Sequence, residues 1–327
     1  MRPSFTLSFL PFTPLVAAWA PPSYSGYILE WYSGFEGASG SAPDISNWNI
    51  ITGHLGVNNE LETYTSSAAN LQRSGGSTLQ IVPWRDSSVA GGWSSGRIES
   101  KYTVTPAAGT VTRAEALIRF GGNSVSNKAG LWPAFWMLGN SIRNGTPWPA
   151  CGELDVMETV NGALTGYGTI HCDVFPGGIC NEGTGIGAST RIADQGWHTW
   201  TLEWNRRPGN WQSETIIWYI DGIAFQSITG DRINNQAVWD SLAHSPMYFI
   251  LNMAVGGSWP GNPNSATLDG YGSMMEVAYV AHYGLAKSCR RAYVKAPILQ
   301  VANGLARTIS PRVRLGVSGA SKVAIPA

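Results

Sequence analysis

Charge is scarce in this chain: Asp, Glu, Lys and Arg together make up 13% of its 327 residues, about half the usual share. That excludes a charge-rich disordered chain. Acids stop altogether before residue 285, while the last 43 residues hold eight bases. With those and Arg2 set aside, the body carries 12 bases against 21 acids, a net of −9 hidden by the formal total of zero. An acidic body repels phosphate backbones, so no nucleic acid is expected as a partner. Amphipathic helical periodicity is nearly absent, with Asn234 to Leu242 as one short candidate, so a helical bundle is excluded. Beyond the N-terminus there is no membrane span, because no stretch is long and apolar enough. No Cys/His cluster has zinc-site spacing, so no metal is expected, and the chemistry read below needs no organic cofactor.

The abundant residues are Gly (39) and Trp (15), which suit short strands joined by tight turns. Arg113 to Phe120 alternates, with Ala114, Ala116, Ile118 and Phe120 on one face. Trp197 to Trp204 alternates likewise, grouping His198, Trp200, Leu202 and Trp204. Ile216 to Ile220, Asp221-Gly222, then Ile223 to Ile228 reads as a hairpin with a type I′ turn. Thr78 to Val82, Ile98 to Val104 and Tyr248 to Val255 are further strands. The fold class is therefore all-β, with two packed antiparallel sheets.

The ends differ from the body. Arg2, the apolar Phe5 to Val16 and the small-x-small Ala18-Trp19-Ala20 read as a signal peptide over 1–20, cut after Ala18 or Ala20, so the protein is expected to be secreted. The catalytic domain is placed at 21–284 and a basic, disordered tail at 285–327. The tail also reads as an anchor to an acidic wall polymer, or as coding sequence extended past a true stop or splice site. Of the four cysteines, Cys172 and Cys180 flank a turn-rich run that a disulfide could close in a secreted protein. Four cysteines allow three pairings, and Cys151 and Cys289 have no evident partner. Asn144-Gly145-Thr146 is the one glycosylation sequon. Nothing suggests an assembly, so a monomer is expected.

The run Glu153-Leu154-Asp155-Val156-Met157-Glu158 carries the chemistry. Alternation puts Glu153 and Asp155 on one face of a strand and Glu158 on the other. A one-residue bulge near Val156 or Met157 would return Glu158 to the face of its partners. Three like charges on one face raise each other's pKa and are costly without a task. Glycoside hydrolysis is such a task, since a retaining enzyme uses one carboxylate as nucleophile and another as acid/base. Glu153 is assigned as nucleophile, Glu158 as acid/base, and Asp155 as the group between them that tunes charge and orientation. Aromatic residues precede the run. Rigid flat rings match the C–H faces of sugars, and Trp132 and Trp148 are the better platforms, while Phe135 and Trp136 read as core.

Several segments together resemble glycoside hydrolase family 16, specifically its laminarinase-like endo-β-1,3(4)-glucanases of fungal type. They are Asn58 to Tyr64, Ser95 to Ile98, Leu131 to Met137, Trp148 to Glu158, Ile170 to Cys172, Trp218 to Gly222 and Asn252 to Gly261, in that order, within residues 26–284. The resemblance implies a β-jelly-roll (concanavalin A-like) sandwich with a glucan cleft across its concave face. It also implies retaining, endo-acting cleavage of internal β-1,3 or mixed β-1,3/1,4 linkages of a β-glucan polysaccharide. Glu153 and Glu158 take the family's nucleophile and acid/base positions. Asn58, Arg97, Trp132, Trp148 and His171 match positions that line the cleft, and Cys172 and Cys180 match a loop cystine. The six-residue spacing is the family's bulged form. Ala278 stands where some members bind structural calcium through Asp, so no calcium is expected there. The altered last strand, Glu276 to Tyr283, puts stability in question. Rival readings are a transglycosylase using the same residues, separable by product analysis with excess acceptor sugar, and a glucan-binding protein, which usually lacks the acids kept here.

Overall fold

The computed structural model describes residues 19–286. The signal-like stretch up to residue 18, Cys289 and the basic tail from residue 287 lie outside the described residues. Two antiparallel sheets stack face to face. In the seven-stranded sheet the spatial order is Ile186–Arg191, Thr165–His171, Glu153–Glu158, Leu131–Gly139, Met247–Val255, Arg97–Val104 and Trp48–Ile50. The eight-stranded sheet runs Ile223–Thr229, Thr215–Ile220, His198–Asn205, Val111–Phe120, Met275–Leu285, Leu79–Ile81 and Leu71–Arg73, with Tyr27–Gly34 also paired to Met275–Leu285. A small three-stranded sheet is formed by Glu62–Tyr64, Trp93–Ser95 and Trp84–Arg85.

The alternation read from the sequence explains why the sheets stack. Ala114, Ala116 and Ile118 face Trp200, Leu202 and Trp204 within one buried core, which also takes Phe135, Met137, Leu154 and Ile170 from the facing sheet. Phe120 is only half-buried at its end of the strand. Asp221 and Gly222 both have positive φ, 50° and 78°, as the type I′ hairpin requires. Helix Gln236–Ala243 is capped by the Asn235 side chain, which accepts from the Val238 N–H. Gly168 is a packing requirement: a Cβ there would stand 2.5 Å from Trp218 Cδ1, so only glycine lets that indole cross the sandwich.

The altered last strand is intact. Met275–Leu285 runs for eleven residues and pairs with three neighbours. It reaches Leu285, one residue into the segment assigned to the tail, and the Ala286 N–H closes onto the Gly26 carbonyl. Ala278 is fully buried in a small cluster with Tyr279, Ala281 and Tyr283, offering a methyl group and no oxygen ligand. Among the described residues no helix is long and apolar enough to cross a membrane.

Candidate active site

The site is built on one backbone irregularity. Along the Glu153–Glu158 strand, Asp155 pairs with Thr169 and Glu158 with Tyr167, so three steps on one strand oppose two on the other. The same slip appears against Leu131–Gly139, where Met157 faces Phe135 and Asp155 faces Trp136. Val156 is the extra residue. It and Met157 both enter the core, and Glu158 emerges on the outer face with Glu153 and Asp155. At the bulge the Asp155 carbonyl accepts from Trp218 Nε1 at 2.7 Å, across the sandwich.

Tryptophans hold the outer carboxylates. Trp148 Nε1 donates to Glu153 Oε2 at 3.1 Å, and Trp132 Nε1 donates to Glu158 Oε1 at 2.8 Å. His171 stands between Glu153 and Asp155, with Nε2 at 3.4 Å from Asp155 Oδ2 and 4.0 Å from Glu153 Oε1. Its Nδ1 lies 2.6 Å from Glu182 Oε2. Glu153, Asp155 and His171 each bring one ligand atom within 4.8 Å of the others, a spacing that a cation would also fit.

Burial sets the protonation pattern. It pushes Glu158 up to about 7, with Glu153's charge adding and the Trp132 hydrogen bond opposing. Asp155 is driven well above the usual carboxylate range by burial, then by the charges of Glu158, Glu153 and Glu182. Glu153 is raised by burial too, but His171, the Trp148 donor and Arg97 pull it back. Burial alone would lower His171, yet the Glu182 hydrogen bond and three neighbouring carboxylates raise it. Glu158, at about 7, is therefore placed to hold a proton near neutrality, while the donors around Glu153 favour its charged form, the division of roles that acid/base chemistry uses.

Six of the eight residues named from the sequence converge: Glu153, Asp155, Glu158, Trp132, Trp148 and His171. Arg97 shares the face but bonds to Glu99 at 2.7 Å and stacks over Trp136 at 5.0 Å. Asn58 sits at the exposed rim, where its side chain donates to Glu60 and its carbonyl accepts from Ser258 N. Trp136 is a correction. It is not core, because strict alternation with Trp132 and Ala134 sends it outward, opposite Asp155, where its Nε1 donates to Asn252. Phe135 is core as expected. The Cys172–Cys180 disulfide is present, and Cys151 is buried without a disulfide among the described residues.

Sequence reading missed Glu182, Tyr167, Trp259 and Phe175. Trp259 packs edge-on to both Trp132 and Tyr167, at 5.3 and 5.0 Å, and Phe175 lies 6.0 Å from Trp148. Aromatic rings thus flank the acids on both sides. Tyr167 was within reach of the alternation rule, being two residues from Thr169 on the outward face. The others sit on loops without local pattern.

Comparison with known proteins agrees with this geometry. Residues 62–279 match the model of glycosyl hydrolases family 16. An endo-1,3-β-glucanase structure from Streptomyces sioyaensis is 37% identical with a TM-score of 0.76, covering 82% of this chain and all of that one. The β-glucanase of Rhodothermus marinus is 28% identical over 86% of this chain and 94% of its own length. Glucan endo-1,3-β-glucosidase A1 of Niallia circulans is 30% identical over 80% of this chain, which spans only 38% of that protein's length. With its bulged acidic strand, flanking tryptophans and two-sheet sandwich, the chain belongs to glycosyl hydrolase family 16.

Proposed function

We propose that this protein is a retaining endo-β-glucanase that hydrolyses internal β-1,3 or mixed β-1,3/1,4 linkages. The observation that carries this is the Val156 bulge, which sets Glu153, Asp155 and Glu158 on one face between aromatic rings. Glu158, pushed up to about 7, keeps its proton in weakly acidic water and gives it to the departing glycosidic oxygen. Glu153 attacks the anomeric carbon and forms a glycosyl ester, and Glu158 then takes a proton from the water that cleaves it. Asp155 stands between the two glutamates, burial and their charges raising its carboxyl, and a protonated His171 favours the ionised form of Glu153. The working unit proposed is a monomer, since one chain supplies every group that these steps need. The Cys172–Cys180 cystine supports secretion, since disulfides persist in oxidising compartments. The same loop cystine supports the resemblance to fungal-type members, although the relatives named above are bacterial.

Nucleophile and stereochemistry are tested together. A 2-deoxy-2-fluoro laminaribioside with an activated leaving group should trap a covalent adduct on the peptide carrying Glu153. Early proton spectra of laminarin digests should show the β-anomer first. A label on another residue, or the α-anomer first, overturns the assignment.

A further inference from the structure

Glu182 is used by none of the steps above, yet its side chain is completely buried. Both oxygens are engaged: Oε1 accepts from the Cys172 backbone N–H at 2.7 Å, and Oε2 meets His171 Nδ1 at 2.6 Å. A carboxylate accepts, so Nδ1 carries a proton and donates. The loop that brings Glu182 here is closed by the Cys172–Cys180 disulfide, which ends two residues before it. The backbone of Gly185 runs beside the ring with no room for a side chain, since a Cβ there would lie 2.9 Å from His171 Cε1. The imidazole is therefore fixed in orientation by a charge on one side and backbone on another. Its free nitrogen, Nε2, is left aimed at Asp155 and Glu153.

We infer that Glu182 is a positioning residue for the hydrolytic reaction, acting through His171 to hold Nε2 against the nucleophile side of the site, with the cystine loop as its mount. This rests on the glucanase reading of the acidic strand. The partition is geometric. His171 faces Glu153 and Asp155, while the indole of Trp132 serves Glu158. Losing Glu182 should harm formation and breakdown of the ester at Glu153 and leave proton donation by Glu158 untouched.

Glu182→Gln keeps the volume but removes the charge. It is expected to lower kcat on laminarin about 100-fold, the low end of what a positioned acid–base group contributes, with KM unchanged. The loss should be equally large on 2,4-dinitrophenyl β-laminaribioside, whose leaving group needs no acid. A loss that disappears on that substrate would place Glu182 behind Glu158 and overturn the inference. In a His171→Gln background the Glu182 substitution should cost nothing further, and an additive loss would mean that it acts by another route. Should Glu182→Gln not fold, imidazole ¹⁵N spectra of the intact protein decide. His171, assigned by the signal missing in His171→Gln, must be protonated at Nδ1 throughout the active pH range, and a bare Nδ1 refutes the arrangement. Absence of any wild-type hydrolysis would instead sink the glucanase reading, and the spectra would still report on His171.

Discussion

Replacing Trp132 with phenylalanine separates the ring from its hydrogen bond. The indole Nε1 donates to Glu158 Oε1 at 2.8 Å, in a site where Glu158 is only 8% exposed. A hydrogen bond to a charged group contributes about 1.5–3 kcal/mol, and one pKa unit corresponds to about 1.4 kcal/mol. The indole favours the ionised form, so its loss must raise Glu158 further above its present value of about 7. Allowing for water entering the space left by the smaller ring, the shift should be about one unit. The assay is kcat/KM on laminarin across pH 4–10, where the alkaline limb reports the proton on the acid/base. In Trp132→Phe that limb should move to higher pH by about one unit. The height of the profile will fall as well, because Trp132 also packs on Trp259, so the position of the limb is the informative quantity. A limb that stays in place or moves to lower pH would refute the reasoning that Trp132 holds Glu158 down.

Other outcomes follow from the same geometry. Glu158→Gln should stabilise the fold at alkaline pH. The wild-type carboxyl sits at about 7 in the fold against the ordinary 4.5, so its contribution to stability is intact below pH 4.5 and is lost as pH rises through 7. The variant's melting advantage should therefore grow between those values towards about 2–3 kcal/mol, and a constant difference would contradict this. Glu60, raised by burial and then by Glu62 to about 8, predicts the same behaviour for Glu60→Gln, with the change extending to pH 8. Deleting Val156 should remove the bulge while keeping Glu158 opposite Tyr167 and on the outer face. The variant should hydrolyse laminarin above the Glu153→Gln background, and complete loss in a folded protein would count against the pairing of Glu158 with Tyr167. Phe135→Ala should cost about 3–5 kcal/mol in urea unfolding, because the ring is fully buried between the sheets.

The sheets were legible because burial on one face writes a period of two into the chain, as in His198 to Trp204. The hairpin at Asp221-Gly222 was legible because two successive positive φ values demand such residues. Even the bulge could be inferred, since three acids on a strand are tolerable only where they act together. Trp136 was misplaced because an aromatic residue in an apolar run reads as core, although its parity with Trp132 already pointed outward. Glu182 could not be found, since it meets His171 through a loop whose path local pattern does not encode, while Trp259 lay within the family-like segment Asn252 to Gly261 but nothing local joined it to Trp132. The last strand looked damaged because Ala278 replaces an acid, but strand pairing depends on the backbone, and a methyl fits the buried position.

Reducing-sugar release from laminarin and from barley mixed-linkage glucan, with the intact chain beside Glu153→Gln, bears most directly on the assignment of this site. Release by the intact chain that vanishes in a folded Glu153→Gln is the predicted result, and the ratio of the two rates ranks the linkages. Release that survives in Glu153→Gln, or none from the folded wild type on either glucan, would show that the bulged acidic strand does not do this chemistry.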